Sequence, residues 1–67
     1  MSVAKVIELT SASSKSIEDA VQEGVKRADD TIDKIESVWV QDVKGVVKDG
    51  KVVEWRTNLK ITFMIKD

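Results

Sequence analysis

The sequence predicts an α+β domain whose elements follow the order β-α-β-β. Three observations predict it: apolar residues alternate near both ends of the chain, a run at helical spacing lies between them, and Asp49-Gly50 separates the last two segments. The 67 residues suffice for a single domain, residues 1–67. A domain this small is marginally stable alone, and the sequence has no cysteine and no histidine. We therefore expect oligomerisation to supply the missing stability.

The first strand is predicted over residues 3–9, where Val3, Ile7 and Leu9 share one face. Residues 10–16 form a polar, serine-rich segment, which is typical of a loop. The sequence therefore predicts that the strand ends at Leu9 and that a loop leads into the next element.

A helix is predicted to begin near Ser16, because Asp19 three positions on resembles a capping box. Ser14 is an alternative cap, and Glu18 and Asp19 suit the positive end of the helix dipole. One apolar stripe then continues through roughly five turns at steps of three and four. Its members are Ile17, Ala20, Val21, Gly24, Val25, Ala28, Ile32 and Ile35.

Two further strands are predicted, over residues 37–48 and 51–65. Asp49-Gly50 between them is the strongest short signal for a two-residue type I′ hairpin. The chain directions make the first strand antiparallel to the third, so the third strand is expected in the centre of a three-stranded antiparallel sheet. The two outer strands would then be free edges, which tend to recruit neighbouring chains.

The turn also predicts the register: if Lys48 faces Lys51, Val40 opposes Leu59 and Val38 opposes Ile61. The face expected to pack on the helix carries Val38, Val40, Leu59, Ile61, Phe63 and Ile65. The face expected to stay uncovered carries Ser37, Trp39, Gln41, Val43, Arg56, Asn58, Lys60, Thr62 and Met64. An apolar patch with a polar rim marks either a subunit interface or a ligand groove, and both interpretations stay open.

Composition argues against several functions. The formal net charge is −1, which gives no electrostatic footprint for nucleic acid. No apolar run approaches the roughly 20 residues that span a bilayer, and the start of the chain lacks the apolar stretch of a signal peptide, so we expect a cytoplasmic protein. Without histidine, cysteine or tyrosine we see no catalytic constellation and name no catalytic residue.

With these elements in place, the sequence resembles the dodecins over essentially its whole length. The order and spacing of short segments carry the resemblance, not any one motif. The segments are Lys5-Val6-Ile7-Glu8-Leu9-Thr10, Ser16-Ile17-Glu18-Asp19-Ala20-Val21, Arg27-Ala28-Asp29-Asp30-Thr31, Asp49-Gly50-Lys51-Val52 and Leu59-Lys60-Ile61-Thr62-Phe63.

The resemblance implies a sheet wrapped around one helix and a hollow homododecamer. It also implies storage of flavin (riboflavin, FMN or FAD), stacked on a tryptophan of the second strand and hydrogen-bonded by a glutamine of the third. Counted without gaps, Ser37 and Arg56 occupy those two positions, and Trp39 lies about 7 Å farther along the strand. The candidate ligand-binding residues are Ser37, Trp39, Gln41, Arg56 and Asn58.

Alternatives remain for the function and for single residues. The protein could instead be a structural dodecameric shell whose pocket is empty or takes another ligand or a metal ion. Arg56 could bind a ligand or form a salt bridge with Glu54 or Asp42 of a neighbouring subunit, and Lys60 could form a cation–π contact with Trp39. No metal ligand is assigned, because the acidic residues of the helix are expected to be solvated.

Overall fold

A long hairpin, to which a third strand and one helix are added, sets the shape of the molecule. The computed structural model describes residues 2–65, so Met1, Lys66 and Asp67 of the predicted domain lie outside the described residues. The strands form one antiparallel sheet in the order β1-β3-β2, which confirms the predicted fold with the third strand in the centre. The elements are β1 (Ala4–Ser13), α1 (Ile17–Asp29), β2 (Ile35–Lys48) and β3 (Lys51–Met64).

The turn between β2 and β3 has the predicted type I′ character. Asp49 and Gly50 have positive φ angles of 52° and 75°, and Lys48 faces Lys51. The predicted register is also confirmed at the other end, where Val38 opposes Ile61 and Val40 opposes Leu59.

Between these points the register shifts by one residue and then returns. Val53 is an extra residue in β3 and Gln41 an extra residue in β2, so the two bulges compensate. A third irregularity lies at Glu36. The predicted face of Val43 is therefore wrong: Val43 opposes Thr57, which is completely buried on the helix side of the sheet.

The predicted end of the first strand is also wrong, because β1 continues to Ser13 and pairs there with Trp55. Serine-rich composition suggested a loop, but tertiary hydrogen bonds hold this segment as a strand. The Thr57 hydroxyl donates to the Ser11 carbonyl at 3.0 Å, and the Thr10 hydroxyl donates to the Asn58 side-chain oxygen at 2.8 Å. The loop before the helix shortens to residues 14–16.

Ser16 caps the helix, as predicted, and Ser14 does not. The Asp19 backbone N–H donates to the Ser16 hydroxyl oxygen at 2.9 Å. The Asp19 carboxylate turns instead to the buried Ser13, whose hydroxyl donates to it at 2.6 Å. Ser13 in turn accepts from the Lys15 N–H at 2.9 Å, so the end of β1 and the start of α1 are tied together.

The helix ends at Asp29, and its predicted continuation through Ile32 and Ile35 is wrong. The N–H of Thr31 bonds the Ala28 carbonyl at 3.2 Å, a tightened last turn, and Lys34 adopts a φ of 61° that redirects the chain. Ile35 is then the first residue of β2, opposite Phe63. Apolar residues at positions 28, 32 and 35 fit a helix by spacing, yet Ala28 lies in the helix, Ile32 in the connection and Ile35 in a strand.

The core lies where α1 crosses β1 and β3. Its fully buried side chains are Ala20, Leu59, Ile61 and Thr57, and small residues of the helix face them. A Cβ atom at Gly24 would stand 2.7 Å from Leu59 Cδ1 and 3.0 Å from Ser11 Cβ. Glycine at this position therefore lets the helix approach the sheet closely.

We expect Gly24→Ala to destabilise the fold although alanine favours helices. The gain in helix propensity is about 1 kcal/mol, while overpacking a close contact costs about 1–3 kcal/mol. Urea unfolding followed by tryptophan fluorescence should show a lowered midpoint. Gln22→Ala, on the exposed side of the same helix, should leave the midpoint unchanged or raise it; an equal rise for Gly24→Ala would contradict the close contact.

The hairpin extends well beyond the helix and exposes an apolar surface there. Fourteen residues of strand span about 46 Å, whereas the 13 residues of α1 span about 20 Å. Val43, Val47 and Val52 are 41%, 63% and 48% exposed. Together with Trp55, which packs beside Gly45 near Val52, they form what we call the distal apolar surface. Nothing within residues 2–65 covers it.

Candidate ligand-binding site

The sheet has one face that α1 does not cover, which we call the open face. Side chains alternate along each strand, so residues paired across strands share a face. Four rows of three residues cross the open face from β1 through β3 to β2. They are Val6–Thr62–Ser37, Glu8–Lys60–Trp39, Thr10–Asn58–Asp42 and Ala12–Arg56–Lys44.

Trp39 is the largest apolar group of the open face and is 63% exposed. The Lys60 ammonium lies 5.7 Å from the centroid of its ring, which confirms the predicted cation–π contact. Lys60 also contacts Glu8, with 3.7 Å between Nζ and Oε1. Such an exposed pair adds about 0–1 kcal/mol, so it contributes little to the stability of the fold.

The next row is a chain of hydrogen bonds that uses both ends of the Asn58 amide. Asn58 Oδ1 accepts from the Thr10 hydroxyl at 2.8 Å, and Asn58 Nδ2 donates to Asp42 Oδ1 at 2.6 Å. Within residues 2–65 the other Asp42 oxygen, Oδ2, has no hydrogen-bond donor. Asn58 is therefore a structural residue of this row, and Asp42 is the group that can still accept a hydrogen bond.

Arg56 lies in the last row and is oriented by its own strand. Its Nε donates to Glu54 Oε2 at 2.6 Å, so Glu54 of the same subunit is a partner for Arg56. The Arg56 side chain is 54% exposed, and its terminal nitrogens make no hydrogen bond with residues 2–65. Across the strand from it stands Lys44.

The open face brings together four of the five predicted ligand-binding residues. Ser37, Trp39, Asn58 and Arg56 lie in successive rows, whereas Gln41 is the bulged residue and has no partner in the register. Sequence reasoning missed Asp42 and Lys44 as members of this face. The bulge at Gln41 shifts both of them onto it, and no alternation pattern in β2 signals that shift.

Beyond the open face, the subunit has a groove beside the helix. The groove, of about 510 Å³, runs between α1 and β1, lined by residues that include Leu9, Gly24, Glu23, Lys26, Arg27 and Asp30. It has no aromatic side chain on which a planar ring could stack. Within residues 2–65 there is no group of three or more acidic, cysteine or histidine side chains placed to bind a metal ion. The same residues include no helix with the length and apolar character that crossing a membrane requires.

Comparison with known proteins places this arrangement in a family. The family model described as Dodecin matches residues 3–66. No curated protein sequence gives a significant match. The match covers all four elements of the fold and the whole open face.

Solved structures agree with the family match. Dodecin from Streptomyces coelicolor is 30% identical over 98% of this chain and 94% of that chain, with a TM-score of 0.92. The tt0972 protein from Thermus thermophilus is 25% identical, with a TM-score of 0.94 and coverages of 100% and 98%. A calcium dodecin from Mycobacterium tuberculosis, described as having a novel calcium-binding site, is 31% identical over 96% and 91%, with a TM-score of 0.82.

Proposed function

The chain belongs to the dodecin family, and on that premise we propose that it assembles as a hollow homododecamer that stores a small planar ligand, flavin first. Riboflavin, FMN and FAD are the candidates. The observation that carries the proposal is Trp39, a largely exposed indole on a sheet face that the helix leaves open. An exposed aromatic ring amid hydrogen-bonding groups suits a planar ligand with polar edges.

Self-assembly is supported by the distal apolar surface. A small domain whose core consists of few fully buried side chains gains stability by covering such a surface with other subunits. Both outer strands, β1 and β2, are also free edges within the subunit. The assembled particle, not the isolated subunit, is therefore the proposed functional form, and the proposed location is the cytoplasm.

The residues of the open face fit a flavin ring, although Arg56 stands at the position expected for glutamine. A flavin presents carbonyl oxygens and one imide N–H along its polar edge. Arg56 can donate to a carbonyl but cannot accept from the N–H. Asp42 Oδ2 can accept that hydrogen bond, so Trp39, Asp42 and Arg56 together supply the stacking surface, the acceptor and the donor. Bound there, the flavin would be held and shielded, and no catalytic residue is assigned.

Trp39→Ala is expected to weaken flavin binding by about tenfold or more, because stacking on an aromatic side chain contributes about 1–3 kcal/mol. The measurement is quenching of riboflavin and FMN fluorescence on titration with ligand-free protein. A sizing column run on the same samples should show an unchanged particle, since Trp39 lies outside the distal apolar surface.

Trp39→Phe is the matched control and should retain part of the affinity. If Trp39→Ala still quenches flavin fluorescence fully, the ligand binds at a place other than Trp39. If the wild-type particle has full size but quenches the fluorescence of neither flavin, the flavin proposal is wrong. The alternative, a shell that takes another ligand or a metal ion, would then be favoured. The calcium dodecin relative makes Ca²⁺ the first ion to test in that case.

A further inference from the structure

The row Thr10–Asn58–Asp42 links all three strands on the open face, although none of its members is buried. The three residues stand directly opposite one another on β1, β3 and β2, close enough for their side chains to touch. The Thr10 hydroxyl lies 2.8 Å from Asn58 Oδ1, and Asn58 Nδ2 lies 2.6 Å from Asp42 Oδ1. Because all three residues are exposed, the core does not require these hydrogen bonds, and the row is free to serve the surface.

The chemistry of the two ends gives this row one direction. A carboxylate only accepts hydrogen bonds, so the Asn58 amide turns its NH₂ group to Asp42 and its oxygen to Thr10. In the opposite orientation Asn58 Oδ1 would face an oxygen of Asp42 with no proton between them. Within residues 2–65 no donor reaches Asp42 Oδ2. Thr10 and Asn58 therefore restrain the carboxylate through Oδ1 and leave Oδ2 as the acceptor that the row presents.

The row lies one step along the strands from the stacking residue. Trp39 pairs with Lys60 and Asp42 pairs with Asn58, two residues away on β3, so the two rows are about 7 Å apart. The bulge at Gln41 gives Asp42 this place, since a bulge redirects the side chains that follow it. A fused planar ring stacked on Trp39 can therefore present one edge to Asp42.

We propose that Thr10 and Asn58 are positioning residues that direct Asp42 Oδ2 toward an imide N–H of a ring stacked on Trp39. This inference rests on the proposed function and narrows its ligand class to planar rings with an N–H on the polar edge. A ring of the same shape whose imide nitrogen is alkylated has no proton to donate. A side chain that is ordered before binding loses less entropy on binding, so a restrained carboxylate favours the N–H ring more than a mobile one does.

The test compares riboflavin with 3-methylriboflavin, whose imide nitrogen carries a methyl group, by fluorescence quenching on titration with the assembled protein. The wild type should bind riboflavin about tenfold tighter, which is the effect of one hydrogen bond to a charged acceptor. Asp42→Ala should bring the ratio of the two dissociation constants to about one. A ratio that persists in Asp42→Ala would reflect the size of the methyl group and would overturn the role of Asp42.

Thr10→Val should lower the ratio to about three, because it removes the donor that holds the Asn58 amide but no group that touches the ring. Thr10→Ser restores a hydroxyl and should restore the ratio. Thr62→Val is the matched control: it makes the same exchange two rows away on the open face and should leave the ratio at its wild-type value. An unchanged ratio in Thr10→Val, or an equal fall in Thr62→Val, would overturn the positioning role.

The wild-type result separates this inference from the proposed function. If the assembled protein binds both flavins with equal affinity, the positioning role of Thr10 and Asn58 is wrong and the proposed function stands. If the assembled protein binds neither flavin, both are wrong.

Discussion

Replacing Val47 and Val52 together with aspartate is expected to dissociate the proposed dodecamer into single subunits. The two valines face each other near the tip of the hairpin and are 63% and 48% exposed in the subunit. If neighbouring subunits cover them, two carboxylates at this place would be buried without partners, which costs several kcal/mol per charge. The sizing column should show loss of the large particle.

The unfolding temperature of the double variant gives a second measurement, because the core of the subunit is small. Because the isolated subunit leaves its distal apolar surface in water, we expect the double variant to unfold at a lower temperature as well, by circular dichroism. Lys51→Asp is the control, since it places an aspartate beside Val52 at a position that is already charged and exposed. A particle of normal size in the double variant would show that the distal apolar surface is not an interface.

Ile61→Ala is expected to cost the subunit about 2–5 kcal/mol of unfolding free energy, the usual effect of truncating a buried isoleucine. Ile61 is fully buried on the central strand, between Ile7 on one side and Val38 on the other. A loss of this size is a large part of the stability of so small a domain. Urea unfolding should therefore show a much lower midpoint, and the protein is expected to accumulate less in cells.

Ile65→Ala provides a matched control, because it removes the same atoms from a side chain that is 43% exposed just after β3. Its cost should stay below about 1 kcal/mol. Similar losses for the two variants would mean that the core does not centre on Ile61, or that assembly buries Ile65 equally well.

The sequence by itself determined the order of the elements and the framework of the hairpin. Asp49-Gly50 predicts the turn because two adjacent positive φ angles favour such residues. The turn then sets the pairing of Lys48 with Lys51. The start of the helix is predictable for a similar reason, since the Ser16 hydroxyl accepts the Asp19 backbone N–H within one turn. These signals are local, so no knowledge of the tertiary contacts is needed.

The ends of β1 and α1 were decided by tertiary structure. The segment from Thr10 to Ser13 is a strand because Thr57 and Asn58 of the central strand bond to it, which its own polar composition does not reveal. The helix ends at Asp29 although Ile32 and Ile35 continue its apolar spacing, and Ile35 instead pairs with Phe63 as the first residue of β2. A spacing of three and four residues does not distinguish a longer helix from a helix that is followed by a strand.

The composition of the candidate site depended most on the tertiary structure. The hairpin register and the family resemblance together predicted Trp39 and Arg56, but the bulges at Gln41 and Val53 reverse the faces of residues 42–46 of β2. Each bulge adds one residue to a different strand, so their register shifts cancel. The pairs at both ends of the hairpin therefore match those of a regular ladder. Asp42 and Lys44 reach the open face only because of that shift, and a bulge is placed by contacts between strands that a single strand's sequence does not encode.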